Sequence, residues 1–108
     1  MKMRIATITA AALGLAVQAA GADQVSLTIR DHKFTPAEIH VKANQPSEFT
    51  IVNKDATVEE FDSTSLKVEK VVSGNAEGTV RIRPLAPGRY PFIGEYHSDT
   101  AQGVVIAE

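Results

Sequence analysis

The sequence predicts an all-β fold, a Greek-key β-sandwich of about six to eight strands. Three observations carry this. Short β-branched runs alternate with polar residues after position 22, Pro, Gly, Asn and Asp punctuate them at close intervals, and no stretch of helical period is long enough to compete. A chain of 108 residues holds one domain, and 44% hydrophobic residues against 22% charged suffice for one core. Each strand has one apolar face that must be covered, and a second sheet is the economical cover.

The first 22 residues differ from the rest. Lys2 and Arg4 make a basic start, Ile5 to Val17 is an apolar stretch, and Ala20-Gly21-Ala22 offers small residues for cleavage. This is the pattern of a secretory signal peptide, so residues 1–22 are expected to be removed and the mature protein to begin at Asp23, exported to the periplasm. The apolar run falls short of the roughly 20 residues that a spanning helix needs, so the mature protein is not expected to be membrane-embedded.

From Asp23 onward the strands follow in order. Val25, Leu27 and Ile29 alternate with Ser26, Thr28 and Arg30; Ile39 with Val41 repeats the pattern, and Phe49 with Ile51 follows after the turn Asn44-Gln45-Pro46. The segment Asp55 to Glu69 reads as an irregular strand and loop or as a single helical turn. Beyond Ser73-Gly74-Asn75, Val80 with Ile82 forms the next strand. Pro87-Gly88 opens a long penultimate strand through Tyr90 and Phe92, and Val104 with Ile106 alternates in the last one.

Loss of the leader leaves nine basic residues against thirteen acidic ones. A mildly acidic domain lacks the basic stripe that neutralises phosphates, so nucleic acid is excluded as a partner, while metal cations suit it. The chain has no cysteine, which removes disulfides and thiolate chemistry together. Polar residues interrupt the alternation at Asp31-His32, at Glu59-Glu60-Phe61-Asp62 and at Gly94-Glu95-Tyr96-His97-Ser98-Asp99. In a Greek key the loops carrying these three groups can meet at one pole. Carboxylates with imidazoles and no sulfur suit first-row metal ions, the oxygens favouring hard ions such as iron and the imidazoles accepting copper, iron or zinc. The candidate ligands are His97, Glu60, Glu95, His32 and Glu59. Glu60 should face away from the core side that Phe61 occupies. Glu59 shares that side and needs a partner if buried. A bend at Gly94 would turn Glu95 toward His97, whereas His40, between Ile39 and Val41, should face solvent.

The chain resembles the cupredoxins over nearly all of its mature length. The run Phe34-Thr35-Pro36-Ala37-Glu38-Ile39-His40-Val41 is similar to the family's opening, Phe49-Thr50-Ile51-Val52-Asn53 to its next strand, and Leu85-Ala86-Pro87-Gly88-Arg89-Tyr90-Pro91-Phe92 to the turn and strand leading into the metal loop. Gly103-Val104-Val105-Ile106 is similar to the final strand. A blue-copper member supplies two His, a Cys and usually a Met. Here the resemblance places Glu59 or Glu60 at the first His position and Gly94 at the Cys position, keeps His97, and leaves no methionine outside the leader. The segments Glu59-Glu60-Phe61-Asp62-Ser63 with Glu69-Lys70, and Gly94-Glu95-Tyr96-His97 with Thr100-Ala101-Gln102-Gly103, resemble the cupredoxin-like periplasmic components of bacterial ferrous-iron uptake systems. That resemblance implies Fe(II) and Fe(III) as ligands, copper and/or iron as the bound metal, an iron-binding periplasmic partner and a membrane iron permease. It implies assistance to Fe(II) oxidation, with copper on His97 and a second His as electron acceptor, and leaves open a ferrous iron oxidase or a passive copper or iron carrier. A metal-free scaffold is the reading that needs none of these residues gathered.

Overall fold

The computed structural model describes residues 22–108; apart from Ala22, the segment read as a signal peptide lies outside them. Among the described residues no helix is long and apolar enough to cross a membrane. The strands are β1 (Asp23–Arg30), β2 (Lys33–Thr35), β3 (Glu38–Val41), β4 (Ser47–Asn53), β5 (Glu59–Ser63), β6 (Val68–Val72), β7 (Ala76–Ile82), β8 (Gly88–Gly94) and β9 (Gln102–Ala107). They form two sheets, in the orders β2-β1-β4-β7 and β3-β9-β8-β5-β6. The β1–β4 and β3–β9 pairs are parallel and the other neighbours antiparallel. The sandwich is therefore as the alternation predicts.

Among the described residues the count is nine rather than six to eight. The two strands that periodicity undercounted are β2, a three-residue strand with one apolar position, and β6, which fills the ambiguous stretch together with β5. No α-helical turn forms there. A run this short pairs because its neighbour offers a free edge, which its own composition does not announce.

The last strand has the opposite parity to the expected one. Val105 and Ala107 are buried, at 0% and 3% exposed, whereas Val104 and Ile106 are half-buried. Gly103 to Ala107 is apolar at every position, so period-2 reading cannot choose a face. The pairing Phe92↔Gly103 chooses it. A Cβ on Gly103 would lie 2.3 Å from Phe92 Cζ, so the ring occupies the space above the glycine and puts Gly103 and Val105 on the core side.

Four phenylalanines from both sheets occupy the core. Phe34 and Phe92 meet edge to face at 5.0 Å, Phe34 and Phe61 at 5.9 Å, Phe61 and Phe92 lie 4.9 Å apart, and Phe49 packs on Phe61 at 6.3 Å. Each buried ring contributes roughly 1.5–3 kcal/mol by burial, and edge-to-face pairs add to this. Their positions in the chain matter more for the site. Phe34 follows His32 by two residues, Phe61 follows Glu59 by two, and Phe92 precedes Gly94 by two. One aromatic cluster thus draws the ends of β2, β5 and β8 to a single pole.

Candidate metal centre

His32 comes from the two-residue turn between β1 and β2. Arg30 pairs with Lys33, and both turn residues have positive φ, 54° at Asp31 and 58° at His32, as a type I′ hairpin requires. Neither is glycine, so the turn is held from outside. The Asp31 and His32 N–H groups donate to the two carboxylate oxygens of Asp55, at 2.8 and 2.9 Å, and Thr100 Oγ1 donates to the His32 carbonyl at 2.7 Å. Burial pushes the Asp55 carboxyl up, but the two N–H donors and the nearby His32 and His97 outweigh it and hold it below 3.8. Asn53, buried at the end of β4, positions this loop. Its amide donates to the carbonyls of Thr57, Val72 and Ser73, and its Oδ1 accepts the Asp55 N–H.

His97 ends a single 3-10 turn, Glu95–His97, and its carbonyl accepts the N–H groups of Thr100 and Ala101. Its imidazole stacks on that of His32, with ring centroids 3.5 Å apart and planes 11° from parallel. Glu59 lies beneath, 1% exposed, where the β5 alternation places it beside Phe61. Its carboxylate has partners on both oxygens. Oε1 accepts the N–H of Glu60 at 3.0 Å and of Tyr96 at 2.9 Å, and Oε2 lies 2.6 Å from His97 Nδ1. This meets the requirement that a buried carboxylate be paired.

The remaining two candidates lie apart from this group. Glu60 and Asp62, on the outward face of β5, and Glu95 each offer an oxygen, and these atoms lie within 4.8 Å of one another. Glu69 stands opposite Asp62 on β6. Burial first, then the charges of Glu69, Asp62, Glu95 and Glu59, raise the Glu60 carboxyl above its ordinary value. Contact with the Asp62 carboxyl first, then burial and the charges of Asp62, Glu69 and Glu59, raise that of Glu95. The five sequence candidates therefore fall into an inner group, His32, His97 and Glu59, and an outer group, Glu60 and Glu95 with Asp62. The bend at Gly94 sets Glu95 with Glu60 and Asp62. His40 lies on the solvent side of β3, its ring nitrogens on Glu108 and Glu38 at 2.6 and 2.8 Å.

The sequence assigns Asp55 and Thr100 no part in the site, although both hold the His32 turn. Only an Asp-His pair in a tight turn hinted that something must hold that turn.

A blue-copper centre does not fit the inner group. Gly94 stands where the cupredoxin resemblance places the cysteine, and a Cβ there would meet Glu59 Cδ at 2.7 Å and Glu59 Oε2 at 2.8 Å. The Glu59 carboxylate occupies the space that a side chain at 94 would need. With no cysteine in the chain and methionine only at positions 1 and 3, the sulfur donors are missing as well. The stacked imidazoles do not chelate one ion in this arrangement either. A metal binds imidazole in the ring plane at about 2.0–2.1 Å, and parallel rings 3.5 Å apart place any shared ion well outside both planes.

Comparison with known proteins agrees with this architecture. Residues 3–107 match the family described as the cupredoxin-like domain. An uncharacterized protein of Rickettsia prowazekii (strain Madrid E) is 41% identical over 83 residues, which cover 77% of this chain and 66% of that protein's length. Auracyanin A, a "blue" copper protein from Chloroflexus aurantiacus, superposes with a TM-score of 0.70 at 15% identity, covering 82% of this chain and 100% of its own. The metal-binding domain of the Cu(I)-exporting P-type ATPase CopA of Streptococcus pneumoniae D39 superposes with a TM-score of 0.70 at 17% identity, covering 86% and 92%. At these identities the likeness to the solved structures is one of fold. With the family match running over nearly the full length, the chain belongs to the cupredoxin-like domain family.

Proposed function

We propose that this chain is a periplasmic metal-binding protein of ferrous iron uptake, which binds iron at its carboxylate face, assists Fe(II) oxidation and passes the iron toward a membrane permease. The observation that carries this is the meeting of Glu60, Asp62 and Glu95 within 4.8 Å. Burial and then the neighbouring charges raise the Glu60 carboxyl, contact with Asp62 and then burial and charge raise that of Glu95, and both include the mutual repulsion of three negative groups held this close. A multivalent cation relieves it more completely than protons do. Hard anionic oxygens favour Fe(III) over Fe(II), so iron bound there gives up its electron more readily, with dioxygen as the acceptor. The likeness of the Glu59–Ser63 and Gly94–His97 segments to iron-uptake cupredoxins, and a leader of the exported kind, support the setting.

The test is anaerobic addition of Fe(II) to the mature protein, followed by oxygen, with iron content and oxygen uptake as readouts. The double variant Glu60→Gln/Glu95→Gln keeps side-chain size and removes two charges, so it should lose Fe(III) retention and iron-dependent oxygen uptake. Unchanged values would sink the iron reading.

Copper carriage through His97 is the second reading. It is favoured by the His97 imidazole at the pole, backed by Glu59, and by the copper named for two proteins of the same fold.

A further inference from the structure

We propose that Glu59 is a positioning residue for His97: its carboxylate holds the proton on Nδ1, so that Nε2 is the donor atom His97 offers to a first-row metal ion. The inference rests on the reading that His97 is a metal ligand, and it assigns Glu59 a place behind that ligand.

The argument begins with the hydrogen bonds of Glu59. Backbone N–H groups only donate, and Oε1 accepts two of them, from Glu60 and Tyr96. Oε1 therefore carries no proton. The short 2.6 Å contact between Oε2 and His97 Nδ1 contains one proton, which sits on either the oxygen or the nitrogen. With Oε1 serving two N–H donors and Oε2 facing Nδ1, we place that proton on Nδ1, where the carboxylate accepts a third hydrogen bond. A buried carboxylate with three donors then has its needs met, and the Nδ1 lone pair is spent. In neutral imidazole only Nε2 remains as an acceptor or ligand. A carboxylate behind a ligating imidazole fixes its tautomer and its ring orientation.

Two further features hold this arrangement in place. Stacking on His32 sets the plane of the ring, and His32 is itself anchored by Asp55 and Thr100. The missing side chain at Gly94 leaves the room in which the carboxylate sits. The polar pole is thus built around Glu59 and aims one nitrogen of His97 away from it.

Nitrogen-15 NMR of the metal-free protein over a pH series tests this, read where the His97 ring carries a single proton. His97 should show a protonated Nδ1, its proton far downfield, and a bare Nε2. In Glu59→Gln the amide oxygen still serves the two backbone donors, and the NH2 group turns to Nδ1 and donates to it. The tautomer should then reverse, leaving Nε2 protonated, and Zn(II) used as a redox-silent probe should bind at least about tenfold more weakly. A bare Nδ1 in the wild type, or the same tautomer in both proteins, overturns the proposal. The wild-type measurement decides alone if the variant does not fold. If the tautomer is as expected but neither Zn(II) nor Fe(II) moves the His97 resonances, the ligand role of His97 fails while the Glu59–His97 tautomer assignment stands.

Discussion

Gly94→Ala is the sharpest perturbation of the pole, because it adds one methyl group and nothing else. Gly94 has φ −92° and ψ 108°, ordinary extended geometry, so alanine brings no backbone conflict. On an open strand the substitution would slightly stabilise. Here the added Cβ would lie 2.7 Å from Glu59 Cδ, 2.8 Å from Glu59 Oε2 and 2.7 Å from Ala101 Cβ, all closer than Cβ contacts allow. Overpacking of this kind costs about 1–3 kcal/mol. Displacing Glu59 also weakens its bonds to Glu60, Tyr96 and His97, and each buried donor left without a partner costs about 1–3 kcal/mol. We expect a loss of about 3 kcal/mol, which lowers Tm by about 12–24 °C in a domain this size. The partner substitution apportions the loss. In a Glu59→Ala background only the contact with Ala101 remains, so Gly94→Ala should cost less there, by a coupling of about 1–2 kcal/mol. Urea unfolding of the wild type, both single variants and the double variant measures it. A cost for Gly94→Ala below about 1 kcal/mol, or additive effects of the two changes, would refute the account of the pole as built around the Glu59 carboxylate.

Two more outcomes follow from the geometry. The folded Glu60 and Glu95 carboxyls lie above their ordinary 4.5, so their contribution to stability is fully present below the unfolded value and is lost as pH rises through the folded ones. Metal-free Glu60→Gln/Glu95→Gln should therefore match the wild type in Tm near about pH 4 and exceed it near about pH 7; parallel curves for the two proteins would show that the carboxylates do not repel. His32→Gly removes the stacked ring and relieves a left-handed residue, so stability should hold or rise by up to about 1 kcal/mol while the His97 resonances move. A loss above about 1 kcal/mol in denaturant unfolding would mean that the stack outweighs the strain.

The sequence by itself determined what depends on neighbours along the chain. Alternation in β1, β3, β4 and β8 named the core faces, because side chains on a strand switch sides at every residue whatever lies across from them. The same rule put Glu59 on the side of Phe61 and Glu60 on the other, and it put His40 in solvent. The absence of cysteine excludes a thiolate centre whatever the fold. Tertiary structure decided what depends on pairing between distant segments. The face of β9 came from the fit of Phe92 over Gly103, since five successive apolar residues carry no period. The gathering of Glu95 with Glu60 and Asp62 on the outer face came from the register Phe61↔Gly94. That register brings Glu59 to His97 across 38 positions of chain and sets the carboxylate where Gly94 leaves room for it. A contact of that span is fixed by the pairing of two strands far apart in the chain, and no local pattern in either segment contains it.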